Sequence, residues 1–141
     1  WVGSSAVIAA YLYRRRSPRR IPSQKLKVFR DEDVMQRAIA ISREAVSNGN
    51  HPFGALLYDR KTGAILAEAE NTVESELDVT AHAELNLVRF ASISGIDMSS
   101  ATLFTSTEPC PMCSGAIYWA GIREVVFACS ESDLYSVTLS E

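Results

Sequence analysis

Two short clusters constrain this chain more than anything else in it: Thr80-Ala81-His82-Ala83-Glu84, and then Glu108-Pro109-Cys110-Pro111-Met112-Cys113. Cysteines at i and i+3 on the first turn of a helix face the same way, so both sulfurs can reach one ion, and a histidine at a second helix start supplies a third ligand. Sites closed by four side chains are structural. A site with three protein ligands keeps a position for water, whose pKa zinc lowers to about 7. The fold must therefore bring two helix N-termini to one point, where the helix dipoles favour the thiolates of Cys110 and Cys113. Glu84 leaves its helix on a different side from His82. It can approach such a water without ligating zinc, as general acid and base.

The pattern around these clusters predicts their setting. Asp31, Glu32 and Asp33 put acid at a helix start, and Val34, Ala38, Ile41 and Ala45 repeat at helical spacing until Gly49. Phe53 to Tyr58, a turn over Asp59 to Gly63, and Ala64 to Glu70 read as a two-stranded hairpin. The polar, acidic stretch Asn71 to Val79 reads as a loop. Thr80 then suits the N-cap of a helix from Ala81 to about Ser94, stopped by Gly95. A third strand over Thr102 to Ser106 leads to a helix with Pro111 at its first position, ending near Gly121, and Glu124 to Cys129 makes a fourth strand. Alternating strands and helices at the end imply parallel pairing in an α/β layered domain.

At 141 residues, 47% of them hydrophobic, the chain suits one core and one domain over 31–141. Charge is segregated: residues 1–30 hold eight Lys or Arg and no acid, while 31–141 hold six basic against 17 acidic residues, a net of −11. That acidity disfavours polyanions, nucleic acid included. Three cysteines, Cys110, Cys113 and Cys129, make a poor disulfide framework and point to a reducing, cytoplasmic setting. The first residue is Trp1, and an apolar run to Tyr13 meets Arg14, Arg15, Arg16, Arg19 and Arg20, which implies missing upstream sequence. This segment reads equally as the end of a membrane anchor contacting lipid through residues 1–20, an Arg-rich organelle transit peptide, or a plain extension.

His-x-Glu followed by Pro-Cys-x-x-Cys is the signature of zinc deaminases. Residues 31 to about 129 resemble the cytidine deaminase superfamily, in the branch whose first metal ligand is histidine. Pro109 to Trp119 is most similar to guanine deaminase and related nucleobase deaminases, and transfer RNA adenosine deaminases share its first half. The resemblance implies a three-layer α/β/α fold with a central mixed sheet, Zn2+ held by His82, Cys110 and Cys113, proton transfer by Glu84, and release of ammonia. It implies substrate contacts from Asn71, whose amide offers both donor and acceptor to a base edge, and from the backbone at Ala83. Phe53 is expected either to wall the ring or to start a buried strand. Trp119 closes the pocket or packs in the core, and Glu108 reaches a substrate N–H or caps the helix. Cys129 is expected to be a small buried hydrophobe and His51 a loop residue. Members of the family usually continue past the fourth strand, often as dimers, so this chain is expected to be either a fragment or atypical at its end, without the C-terminal elements that help select the substrate.

Three functions follow: deamination of a small nucleobase-like substrate, with guanine the best single expectation; deamination of transfer RNA adenosine; or a non-catalytic deaminase-like subunit or structural zinc domain. The net of −11 weighs against the second unless residues 1–30 form a nucleic-acid arm. Retention of Glu84 weighs against the third.

Overall fold

The computed structural model describes residues 30–138, so the expectations for the N-terminal segment lie outside the described residues. Among the described residues no helix is long and apolar enough to cross a membrane. The elements are α1 (Asp31–Ser47), β1 (Gly54–Asp59), β2 (Ala64–Glu70), α2 (Val73–Glu76), α3 (Ala83–Ile93), β3 (Thr102–Thr107), α4 (Pro111–Trp119), β4 (Glu124–Cys129) and α5 (Glu131–Thr138).

The four strands form one mixed sheet in the order β2-β1-β3-β4. β1 is antiparallel to both β2 and β3, while β3 and β4 run parallel, joined through α4 as the sequence predicts. β1 is covered on both faces, which is why its apolar run is unbroken rather than alternating. Leu56 and Tyr58 pack with Phe104 under Val34, Ala38 and Ile41 of α1. Ala55 and Leu57 pack with Leu103 against Ala83, Leu87, Val88 and Ala91 of α3 and Ile117 of α4. The result is three layers: α1, the sheet, and α3 with α4.

Contact between α1 and the sheet is close enough to dictate one residue. A Cβ on Gly54 would lie 2.6 Å from the backbone nitrogen of Ser42 and 2.7 Å from the carbonyl oxygen of Ala38, both on α1. Only glycine fits there.

Two expectations need correction. Asn71 to Val79 is not all loop, because α2 forms within it, and Leu77 ends that turn in the left-handed region at φ 54°. Helix α3 begins at Ala83 rather than Ala81, with His82 as its N-cap. Thr80 does not cap the helix, because its hydroxyl donates to Asp78 Oδ1 at 2.6 Å. Helix α5 follows β4, where the sequence pattern predicts no element. Ser130 starts it: its hydroxyl accepts from the Asp133 N–H at 3.1 Å and donates to the Asp133 carboxylate at 2.6 Å.

Candidate metal centre and its cavity

Two helix starts build the centre, and each is shaped by its own sequence. Pro111 occupies the first turn of α4 and disfavours helical geometry in the residue before it. Cys110 is accordingly extended, at φ −63° and ψ 167°, and becomes the N-cap, with Cys113 a turn further on. His82 is extended in the same way at φ −70° and ψ 152°. Its approach is fixed by Asp78, which accepts from the Thr80 N–H, and by the Asn86 amide, which donates to the carbonyls of Glu70 and Ala81 and to the Thr72 hydroxyl.

His82 Nδ1 lies 3.6 Å from Cys110 Sγ and 3.7 Å from Cys113 Sγ. All three donor atoms fall within 4.8 Å of one another. Tetrahedral zinc with ordinary Zn–N and Zn–S bonds would separate such a nitrogen and sulfur by about 3.6 Å. The donors are thus spaced for one zinc ion without rearrangement, and soft sulfur with imidazole is a donor set that suits it. Neither Cys129 nor His51 joins the cluster, so three side chains supply the donors. Cys129 is half-buried, with its sulfur 3.5 Å from the Ser130 carbonyl.

Cys113 is 0% exposed. Burial, reinforced by the nearby Glu84 carboxylate and by Cys110, pushes its thiol well above the ordinary cysteine range. A bound cation is what would hold this buried sulfur as thiolate. Glu84, 6% exposed, accepts a hydrogen bond from the Thr105 hydroxyl at 2.7 Å. Thr105 stands on interior strand β3, so the rigid sheet orients the carboxylate. The sequence reading missed Thr105, although its place on the same strand face as Leu103 could have suggested it.

Above the centre lies a cavity of about 370 Å³, toward the lower end of the range for small-molecule sites. His82, Cys110 and Glu84 line its base, Phe53, Thr107 and Glu108 its wall, and Leu134, Tyr135 and Thr138 of α5 its cover. Phe53 both walls this space and packs on the core beneath. Glu108 caps a helix, but a different one from that expected: its Oε2 accepts from the Glu131 N–H of α5 at 2.9 Å.

Other expected residues are not on the cavity wall. Asn71 is buried, its Oδ1 accepting from the Val73 N–H at 3.1 Å and its own N–H donating to the Phe53 carbonyl at 3.0 Å. Ala83 is buried at the first position of α3. Trp119 neither closes the cavity nor packs in the core: it is 85% exposed, edge-on to Tyr118. The helix face that carries it points away from the sheet. His51, read as a plain loop residue, does line the cavity.

Comparison with known proteins agrees with this geometry. The family model described as the cytidine and deoxycytidylate deaminase zinc-binding region matches residues 29–129. A probable cytosine deaminase of Schizosaccharomyces pombe is 38% identical over 109 residues, spanning 77% of this chain and 66% of that protein. A transfer RNA-specific adenosine deaminase of Bacillus subtilis is 37% identical over 99 residues, spanning 69% of this chain and 60% of its own length. The crystal structure of guanine deaminase from Bacillus subtilis superimposes with a TM-score of 0.70 at 38% identity, covering 77% of this chain and 70% of that one. The chain thus spans about two thirds of the length of these relatives. With its two helix starts, its spaced donors and this match, the chain belongs to the cytidine and deoxycytidylate deaminase family.

Proposed function

We propose that this protein deaminates a neutral amino-substituted heterocycle by hydrolysis, with zinc held by His82, Cys110 and Cys113 and with guanine the best single substrate. The observation that carries the reading is the Glu84 carboxylate, buried beside a zinc-spaced donor set at the base of a cavity. Zinc, when bound, supplies Lewis acidity that lets water act as a nucleophile near neutral pH. Glu84 takes the proton from the attacking water and gives it to the departing amine, which leaves as ammonia. Thr105 keeps one carboxylate oxygen engaged and the other turned toward the reacting atoms. Phe53 supports the ring by apolar contact, and Leu134 and Tyr135 exclude water above it.

A transfer RNA adenosine is the second reading, favoured by the similarity to the Bacillus subtilis enzyme. The cavity argues for the first. Glu84, Glu108 and Glu131 line it and, among the described residues, no lysine or arginine does, which suits an uncharged ring better than a phosphodiester strand. Ammonia release by the zinc-loaded protein across guanine, guanosine, adenine, cytosine, cytidine and an anticodon stem-loop tests both. Turnover of a free base supports the proposal, and turnover of the stem-loop alone replaces it with the second reading.

A further inference from the structure

The chain has two histidines, and both line the same cavity. One belongs to the metal centre. The other, His51, has its Nε2 at 3.2 Å from Glu74 Oε1 of α2. His51 and Glu74 expose 51% and 58% of their side chains, so the pair adds little to stability. Yet two asparagines hold its parts in place. Asn50, buried just before His51, accepts from the Ser75 N–H of α2 at 3.0 Å, and Asn71 accepts from the Val73 N–H at 3.1 Å. The His51 loop and α2 are thereby tied together at the cavity rim, where the Phe53 N–H also bonds the His51 carbonyl at 2.8 Å.

Building on the deaminase reading, we propose that His51 is a substrate-positioning residue that accepts a hydrogen bond from the ring edge remote from the reacting carbon. A neutral imidazole that donates Nε2–H to a carboxylate carries its lone pair on Nδ1. The reacting carbon must face Glu84 and the metal at the cavity base. The opposite edge of the ring is then left at the rim, where His51 stands. A purine presents an N–H of its five-membered ring there. Among the described residues no other uncharged nitrogen acceptor lines the cavity: the remaining polar groups are carboxylates, hydroxyls and His82, whose Nδ1 faces the cysteines.

Loss of one neutral hydrogen bond raises KM by about threefold to tenfold. His51→Leu should show that rise at pH 8 with kcat little changed. His51→Asn, which places an acceptor oxygen near the Nδ1 position, should restore KM at pH 8.

The full-length, zinc-loaded chain carrying Glu84→Gln and 15N-labelled histidine gives a readout free of turnover, and two histidines give two assignable ring systems. Titration with 8-azaguanine should shift the Nδ1 resonance of His51. An unmoved His51 ring during saturable binding overturns the proposal, as does a KM that responds identically in the Leu and Asn variants. A shifted ring in a protein that turns over none of the six substrates leaves the His51 contact standing and removes the deaminase reading. Turnover with an unchanged KM in His51→Leu does the reverse.

Discussion

The base and the rim of the cavity are built on opposite principles. At the base, Cys113, Glu84 and Thr105 are buried and project from α3, α4 and interior strand β3, whose other faces form the core. At the rim, α2 and α5 bury no residue at all. Helix α5 is tied at its start by the Glu108 carboxylate and by Ser130. Reacting groups need placement to a fraction of an ångström, which packed elements provide. Elements without a buried face open at low free-energy cost and suit admission and choice of substrate. Relatives named as a probable cytosine deaminase, a guanine deaminase and a transfer RNA-specific adenosine deaminase each match 69–77% of this chain, as expected if the base is common and the rim decides.

Disturbing the base should abolish turnover, whereas disturbing the rim should retune it. Replacing a donor has the largest expected effect. Cys113→Ser should lose most bound zinc, seen by metal analysis of the purified protein, and activity should fall to background, because removing a ligand from a three-ligand set leaves too few. Thr105→Val comes next. It keeps the volume but strips the buried Glu84 carboxylate of its partner. We expect about a tenfold lower kcat at unchanged zinc content, and about 1–3 kcal/mol lower stability by urea denaturation.

Glu108→Ala belongs to the rim. With the α5 N–H left uncapped, KM should rise by a few fold while kcat and zinc content hold, and amide exchange in 131–138 should speed up. An equal loss of kcat would break the division between base and rim, placing α5 in the chemistry. The smallest effect is expected far from both. Arg60 donates to the carboxylates of Asp31 and Glu124 and lies over the Phe104 ring at 5.6 Å. It holds both carboxyls below the ordinary carboxylate range. Groups with a depressed folded pKa stabilise above their unfolded value near pH 4, and lose that contribution as pH falls through the folded value. Arg60→Met should therefore cost no more than about 1 kcal/mol at pH 7, since these groups are solvent-exposed, and the difference from wild type should shrink below about pH 4.

Legibility in the sequence followed the same division. The clustering of His82 with Cys110 and Cys113 could be read because Pro111 and the i, i+3 cysteines act locally: they set the backbone that places the sulfurs. Strand β1 could be read because burial on both faces leaves a continuous apolar run from Gly54 to Tyr58. Rim features could not. Helix α5 buries no residue and is held at its start by Glu108, a residue distant in sequence, so no strong periodicity announces it. His51 becomes notable only when α2 brings Glu74 to it, and α2 is a single turn inside a polar stretch. Trp119 misled because a large aromatic near a ligand cluster invites a pocket or core role, while the turn of α4 that carries it faces solvent.

The most direct test of the central claim compares wild type with Glu84→Gln at equal, measured zinc content, following ammonia release from the best substrate of the panel. The isosteric amide keeps the shape of the cavity base but cannot carry the proton. If Glu84 moves protons beside a zinc ion held by His82, Cys110 and Cys113, kcat falls by about a hundredfold or more while zinc stays bound. An unchanged kcat with zinc still bound would contradict it, and the buried carboxylate would then be part of the scaffold alone.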